Sequence, residues 1–151
     1  MHNKFLLSVL CAVLLGGLLG HFLFLEYQEE TMEVMQEKNK IYFIQEGVYD
    51  NEEEAKKATA ELDTKIIVKE DAKYYVYLAM TQSEKNLEKL KKFYQNQGIN
   101  ITIKEMEITD ESFINTLIQM DGLLEDTTKE EQIDPINKVV LANYQELILE
   151  Q

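Results

Sequence analysis

Three observations predict an α+β fold for this chain. Short β-rich runs alternate with helical stripes between residues 41 and 106, in the order βαββαβ. An uncharged run of membrane-spanning length precedes them, and two amphipathic helical patterns follow. The βαββαβ order folds as a four-stranded antiparallel sheet with both helices on one face. The chain then divides into a cytoplasmic tip (1–4), a transmembrane helix (5–25), an acidic, helical juxtamembrane linker (26–40), the α+β domain (41–106) and a helical extension (107–151).

Phe5 to Leu25 is a run of 21 residues without a formal charge, nine of them Leu. As a helix rising ~1.5 Å per residue it would be roughly 31 Å long, enough to cross the hydrocarbon core. Its Leu, Val and Phe side chains favour insertion by about 6 kcal/mol, which Gly16, Gly17, Gly20, Ser8 and His21 reduce without reversing. Lys4 lies on one side and Glu26, Glu29 and Glu30 on the other, so the positive-inside rule places the N-terminus in the cytoplasm and the rest outside the cell membrane. The run is longer than a signal peptide's apolar stretch and exits through the bulky His21-Phe22-Leu23-Phe24-Leu25, which indicates an uncleaved anchor. Cys11, preceded by Leu10 in mid-run, does not suit lipid attachment. Ser8, Ala12, Gly16 and Gly20 recur every fourth residue and put four small side chains on one helix face, where a second membrane helix can pack closely. His21 sits at the outer end, within reach of the interface, and is not expected to carry protons inside the membrane.

The formal charge of −13, with no Arg among the 15 basic residues, disfavours nucleic-acid binding, and a single Cys excludes a disulfide scaffold. The charge is uneven: residues 1–25 carry +1, 26–40 carry −3, 41–106 only −2, and 107–151 carry −9. Most of the acidity therefore lies outside the α+β domain.

Within that domain, Ile41 to Tyr49 is β-rich. Asp50 with Glu53 forms a capping-box-like start, and Ala55, Ala58 and Leu62 supply a helical stripe. Lys65 to Lys69 and Lys73 to Met80 form two strands joined by a tight turn near Asp71. Thr81 and Glu84 repeat the capping box, Leu87, Leu90 and Tyr94 repeat the stripe, and Gly98 stands where a C′ glycine belongs. Asn100 to Met106 is the last strand. Period-2 alternation points Ile44, Val48, Ile66, Val68, Val76, Leu78, Ile101 and Ile103 toward the helices. Phe43, Gln45, Gly47, Tyr49, Ile67, Tyr75, Tyr77, Thr102 and Lys104 then fall on the open face. Glu46 would fall on the core side, so a bulge or strand end is expected there.

The run Phe43-Ile44-Gln45-Glu46-Gly47-Val48-Tyr49, with Asn51, Ala55 and Leu62 after it, resembles the first half of the SPOR domain. That family opens with an aliphatic residue, Gln, any residue, Gly, any residue and an aromatic, then a helix bearing Ala. Ile44, Gln45, Gly47, Tyr49 and Ala55 match it. The family's second-half Arg-Val and Gly-Pro-Phe are absent from Tyr75–Thr81, so the likeness over residues 40–106 is specific in its first half. The resemblance implies a bacterial cell-division or sporulation protein that binds peptidoglycan glycan strands through its open sheet face. Glycan contacts would fall on Phe43, Gln45, Gly47, Tyr49, Tyr75 and Tyr77. The chemistry suits that role: sugar C–H faces pack on aromatic rings, and hydroxyls pair with an amide. Gly47 would let a ligand approach the backbone.

Beyond Met106, Asp110 opens a helix whose Phe113, Ile114, Leu117 and Ile118 share a face that Leu124 extends. After a polar linker, Glu125 to Gln132, Asp134 and Pro135 read as N-cap and N1 of a second helix. Its stripe is Ile136, Val139, Val140, Tyr144, Leu147 and Ile148. Faces this apolar must be buried. Phe113, Leu117, Ile136, Val140, Tyr144 and Leu147 either cover the open sheet face or form a dimer or partner surface.

Residues 26–151 contain no His, Cys, Trp or Arg, which removes thiol nucleophiles, His-based triads and His/Cys metal sites. Gly-rich phosphate loops and EF-hand spacing are also missing. The expectation is a non-catalytic, single-pass membrane protein without cofactor or metal that displays a glycan-binding domain. The alternative is a membrane-anchored assembly subunit that uses its C-terminal helices for protein–protein contacts.

Overall fold

The computed structural model describes residues 40–149. The predicted membrane span, its small-residue face of Ser8, Ala12, Gly16 and Gly20, and the linker up to residue 39 lie outside the described residues. Among the described residues no helix is long and apolar enough to cross a membrane.

The elements run β1 (Lys40–Tyr49), α1 (Glu52–Ala58), β2 (Ile66–Glu70), β3 (Lys73–Thr81), α2 (Glu84–Asn96), β4 (Thr102–Glu107), α3 (Glu111–Asp126), a 3-10 turn (Glu130–Gln132) and α4 (Ile133–Leu149). All strand pairs are antiparallel, in the order β2-β3-β1-β4. The two long strands take the centre because both of their faces are apolar. The shorter β2 and β4 form the edges, where Lys69, Thr102 and Glu105 meet solvent.

Local chemistry sets the element ends, in places a residue or two from where the sequence suggests. The N-cap of α1 is Asn51 rather than Asp50; its side chain accepts from the Glu54 N–H at 2.9 Å. The N-cap of α2 is Ser83 rather than Thr81, which still belongs to β3. Strand β1 ends at Tyr49 as expected, and Asn51 rather than Asp50 stands next to the first helical residue; β3 runs one residue further than expected, to Thr81, and Ser83 takes over the cap. Helix α1 stops at Ala58, where the Thr59 hydroxyl donates to the Ala55 carbonyl at 2.7 Å, so Ala58 is exposed and Leu62 packs from the following loop. Asp71 (φ 53°) makes the β2–β3 turn and Gly98 (φ 73°) ends α2, both as expected. Asp110 caps α3 through the Phe113 N–H at 2.7 Å. Helix α4 begins at Ile133, continuing the 3-10 turn, so Pro135 is its third residue rather than its first. Pro is tolerated there because the N–H groups of a first turn have no intrahelical partner.

Two irregularities interrupt the β1–β3 ladder. Ile44 pairs with Ala79, Gln45 with Tyr77 and Gly47 with Val76, so Leu78 and Glu46 are left without a directly opposite residue. A one-residue slip in a pleated strand reverses every later side chain. Phe43 therefore stays on one face, while Gly47 and Tyr49 pass to the other, beside Val76 and Tyr74. The bulge expected at Glu46 is present, and it corrects the predicted placement of Gly47, Tyr49 and Val48. Strand β2 is also reversed. Ile66 and Val68 face away from α1 and α2, and Ile67 faces toward them, because β2 pairs Ile66 with Tyr77 and Ile67 with Val76.

Two apolar layers result. On one face Ile44, Val76, Leu78 and Ala79 meet Ala55 of α1 and Leu87, Leu90, Phe93 and Tyr94 of α2. On the other, Ile41, Phe43, Ile66, Val68, Tyr77 and Met80 meet Phe113 and Leu117 of α3 and Val140, Leu141 and Tyr144 of α4. The C-terminal helices thus form the third layer of the domain, and the sheet is covered on both sides.

Candidate functional site

The residues singled out for ligand binding centre on the α3–α4 side of the sheet, where the pleat lines up Phe43 of β1 with Tyr75 and Tyr77 of β3. The Phe43 ring meets Tyr77 edge-on, centroids 5.1 Å apart, and Tyr144 of α4 at 5.2 Å; Tyr144 in turn lies 5.6 Å from Phe113 of α3. Edge-to-face contacts of this kind each add about 1 kcal/mol to area burial. Phe43, Tyr77 and Phe113 are fully buried. Their aromatic surface is spent on each other, and no broad ring face is left there for a sugar.

A polar cluster closes this layer at its edge. The Tyr77 hydroxyl donates to Glu70 Oε1 at 2.7 Å, and Lys104 Nζ donates to Glu70 Oε2 at 2.6 Å and to the Tyr77 hydroxyl at 3.1 Å. The same ammonium stands 4.5 Å from the centroid of the Tyr75 ring, which stacks on Tyr77 at 6.2 Å. Burial, followed by the Glu70 carboxylate, holds the Tyr77 phenol far above its ordinary pKa. Burial with a smaller push from Glu70 brings Tyr144 up to about 12. Glu70 neutralises the cation, so the cluster is built as an internal ion pair under the end of α4 rather than as an anion site. Two open clefts of about 470 and 450 Å³ flank the last turns of α4 and share Met106, Tyr144 and Ile148.

The six glycan-site candidates are therefore not gathered on one open surface. Phe43, Gln45 and Tyr77 are buried, with Gln45 held in the ladder between Tyr77 and Thr102. Tyr75 keeps partial exposure beside Lys104. Gly47 and Tyr49 lie on the opposite face. The space over Gly47 is filled by the Tyr49 ring, which a Cβ there would meet at 3.0 Å, so the glycine accommodates a neighbouring side chain rather than a ligand. Tyr49 donates to Glu46 at 2.8 Å, and burial with that hydrogen bond pushes its phenol up to about 12.

The second set of candidates is brought together. Phe113, Leu117, Val140 and Tyr144 are buried on the sheet, Leu147 packs against the same layer, and Ile136 packs toward the α2 side. Of the two alternatives for this face, it covers the sheet. Ile118 and Val139, assigned to the apolar stripes, instead face solvent. At about 2 kcal/mol each, the five fully seated side chains Phe113, Leu117, Val140, Leu141 and Tyr144 contribute on the order of 10 kcal/mol before chain entropy is counted.

Directional contacts fix the seat. The Asp121 carboxylate accepts from the Thr81 hydroxyl, from the Gln82 N–H at 2.9 Å and from the Asn86 amide at 2.9 Å, tying α3 to the β3–α2 junction. Lys89 of α2 donates to the Leu124 and Thr127 carbonyls and so caps the C-terminus of α3. The Tyr94 hydroxyl donates to the Leu78 carbonyl at 3.0 Å and accepts from Asn137 of α4 at 3.1 Å. Apart from Tyr94, which stands in the helical stripe, periodicity does not mark these anchors. Asp121 had a signal, since it is the only charge between Glu111 and Glu125. Lys89 had none.

Among the described residues no group of three His, Cys, Asp or Glu could hold a metal ion. No family model, curated protein or solved structure matches the chain.

Proposed function

We propose that this chain is a non-catalytic, single-pass bacterial membrane protein whose SPOR-like domain, displayed outside the membrane, serves protein–protein assembly, its would-be glycan face given over to its own C-terminal helices. The observation that carries this reading is the seating of Phe113, Leu117, Val140 and Tyr144 on the Phe43–Tyr77 face. The uncharged run from Phe5 to Leu25 and the charges flanking it support the topology. The Ile44–Tyr49 motif supports kinship with SPOR domains, and the lack of His, Cys and Arg in residues 26–151 supports a non-catalytic role.

Photo-crosslinking in living cells tests the reading, with the reactive residue placed in turn at exposed positions of α1, α2, α3 and α4. Reproducible adducts to a particular protein from at least one of these surfaces are expected. Saturable binding of the full chain to amidase-treated cell-wall sacculi, abolished by Tyr75→Ala, would overturn it and restore the glycan role.

A further inference from the structure

Of the four buried tyrosines, three have their hydroxyls matched. Tyr42 donates to Glu84, Tyr77 to Glu70 and Tyr94 to the Leu78 carbonyl, whereas the Tyr144 hydroxyl has no hydrogen-bond partner among the described residues. Tyr144 is only 5% exposed, and it lines both clefts beside the end of α4. A phenol this buried ordinarily finds a partner, so an unmatched one in a cleft wall marks a place for a ligand atom. Around it the walls are aliphatic: Val68 of β2, Met106 and Ile108 at the end of β4, and Leu147 and Ile148 of α4. The clefts, about 470 and 450 Å³, share Met106, Tyr144 and Ile148, so they lie in series on either side of the phenol.

The charged residues of the lining are engaged elsewhere. Glu70 accepts from Lys104 and Tyr77, and Asp110 caps α3. Lys69 and Glu107 alternate with Val68 and Met106 and so point to the opposite face, where Lys69 stands 5.9 Å from the centre of the Tyr74 ring. Thr109 and Gln145 are exposed. The buried part of the lining therefore offers apolar surface and a single free polar group, a neutral donor. An anionic ligand finds no free cation there. A peptide or a sugar would bring many polar groups to a lining that matches one, and burying the others unmatched is costly. A flexible, unbranched apolar chain with one uncharged oxygen suits it, with Met106 adapting to the chain. We propose that the paired clefts are a binding site for a neutral single-chain lipid. Its ester or hydroxyl oxygen accepts from the Tyr144 hydroxyl, and its acyl chain lies along Val68, Met106 and Ile148. The site needs no partner protein, so it goes beyond the assembly role.

The test exposes the full chain, in phosphatidylcholine nanodiscs at neutral pH, to a monoacylglycerol with a photoreactive group in its acyl chain. Labelled residues are mapped by mass spectrometry. Saturable labelling is expected within residues 66–70, 104–110 and 144–149, and unlabelled monoacylglycerol should compete it away. The fatty acid of the same chain length, an anion at this pH, should compete at least about fivefold less well. Tyr144→Phe removes the donor, keeps the ring against Phe43 and Phe113, and should weaken labelling roughly fivefold. Ile148→Trp fills the junction of the two clefts and should abolish labelling; Tyr144→Phe decides the matter if that variant folds poorly. Labelling confined to residues 5–25 or to other surfaces would overturn the proposal. So would labelling that Tyr144→Phe leaves unchanged, or equal competition by the fatty acid.

Discussion

Beneath α1 and α2 the fully buried residues of the sheet are aliphatic, Ile44, Val76, Leu78 and Ala79, beside the less buried Tyr42, Tyr49 and Tyr74, whereas beneath α3 and α4 they include Phe43 and Tyr77, with Tyr144 and Phe113 above them. The first layer is what a βαββαβ unit needs in order to fold, and its helices come from within the unit. The second is built around the aromatic cluster of Phe43, Tyr77, Phe113 and Tyr144, is bordered by the Glu70–Lys104 pair, and takes its helices from a separate acidic segment. A row of Phe and Tyr on the free side of such a sheet suits a sugar ring as well as another aromatic ring. Which of the two it meets depends on whether the rest of the chain supplies a cover, and here it does.

The most severe way to break this comparison is to delete 107–151. If the second layer were an accessory, a βαββαβ unit would survive. With Ile41, Phe43, Tyr77 and Met80 uncovered, we expect loss of cooperative urea unfolding and binding of a hydrophobic dye. A milder version compares one leucine from each layer. Leu90→Ala on α2 and Leu117→Ala on α3, both 0% exposed, should each cost about 2–5 kcal/mol by urea denaturation. A cost below about 1 kcal/mol for Leu117→Ala alone would mean that the second layer is only loosely seated.

Smaller effects sharpen the comparison at the joints between layers. Asp121→Ala removes the acceptor for Thr81, Gln82 and Asn86 and should cost about 2 kcal/mol, with amide exchange quickening in α3 before α2. The smallest effect is an alkaline one. A phenol whose folded pKa lies above its ordinary value near 10 holds its proton more tightly in the folded state. Its contribution is therefore complete below about pH 10 and is lost as pH rises through the folded value. Tyr49 and Tyr144, each pushed up to about 12, and Tyr77 and Tyr94, held higher still, place that loss between about pH 10 and 12 and above. Thermal melts over this range should show the melting temperature falling by several degrees, with the tyrosinate absorbance of these four residues appearing only as the chain unfolds. Tyr144→Phe should lessen the drop; an identical drop in this variant would mean that Tyr144 ionises freely in the folded chain.

The element order, the turn at Asp71, the C′ role of Gly98 and the Asp110 cap were legible because each depends on a few neighbouring residues. The bulge at Glu46 was legible as a conflict, an acid on a core-facing position. Its consequence for Gly47 and Tyr49 was not, since that depends on how β3 registers against β1 across 30 residues. The reversal of β2 escaped for a related reason. In Ile66-Ile67-Val68 every residue is apolar, so alternation carries no sign, and the partner strand decides. Of the candidate site, the sheet-covering residues were legible as an apolar face in need of burial, whereas the anchors at Lys89 and Asn137 were not.

By itself, then, the sequence determined the charge map, the uncharged run at the N-terminus, the order of strands and helices, and the existence of two further amphipathic helices. These follow from composition and from periods of 2 and 3.6 residues, which need no knowledge of what lies opposite. Only the tertiary structure decided that those helices close over Phe43 and Tyr77, because a hydrophobic face specifies that it be buried but not against what.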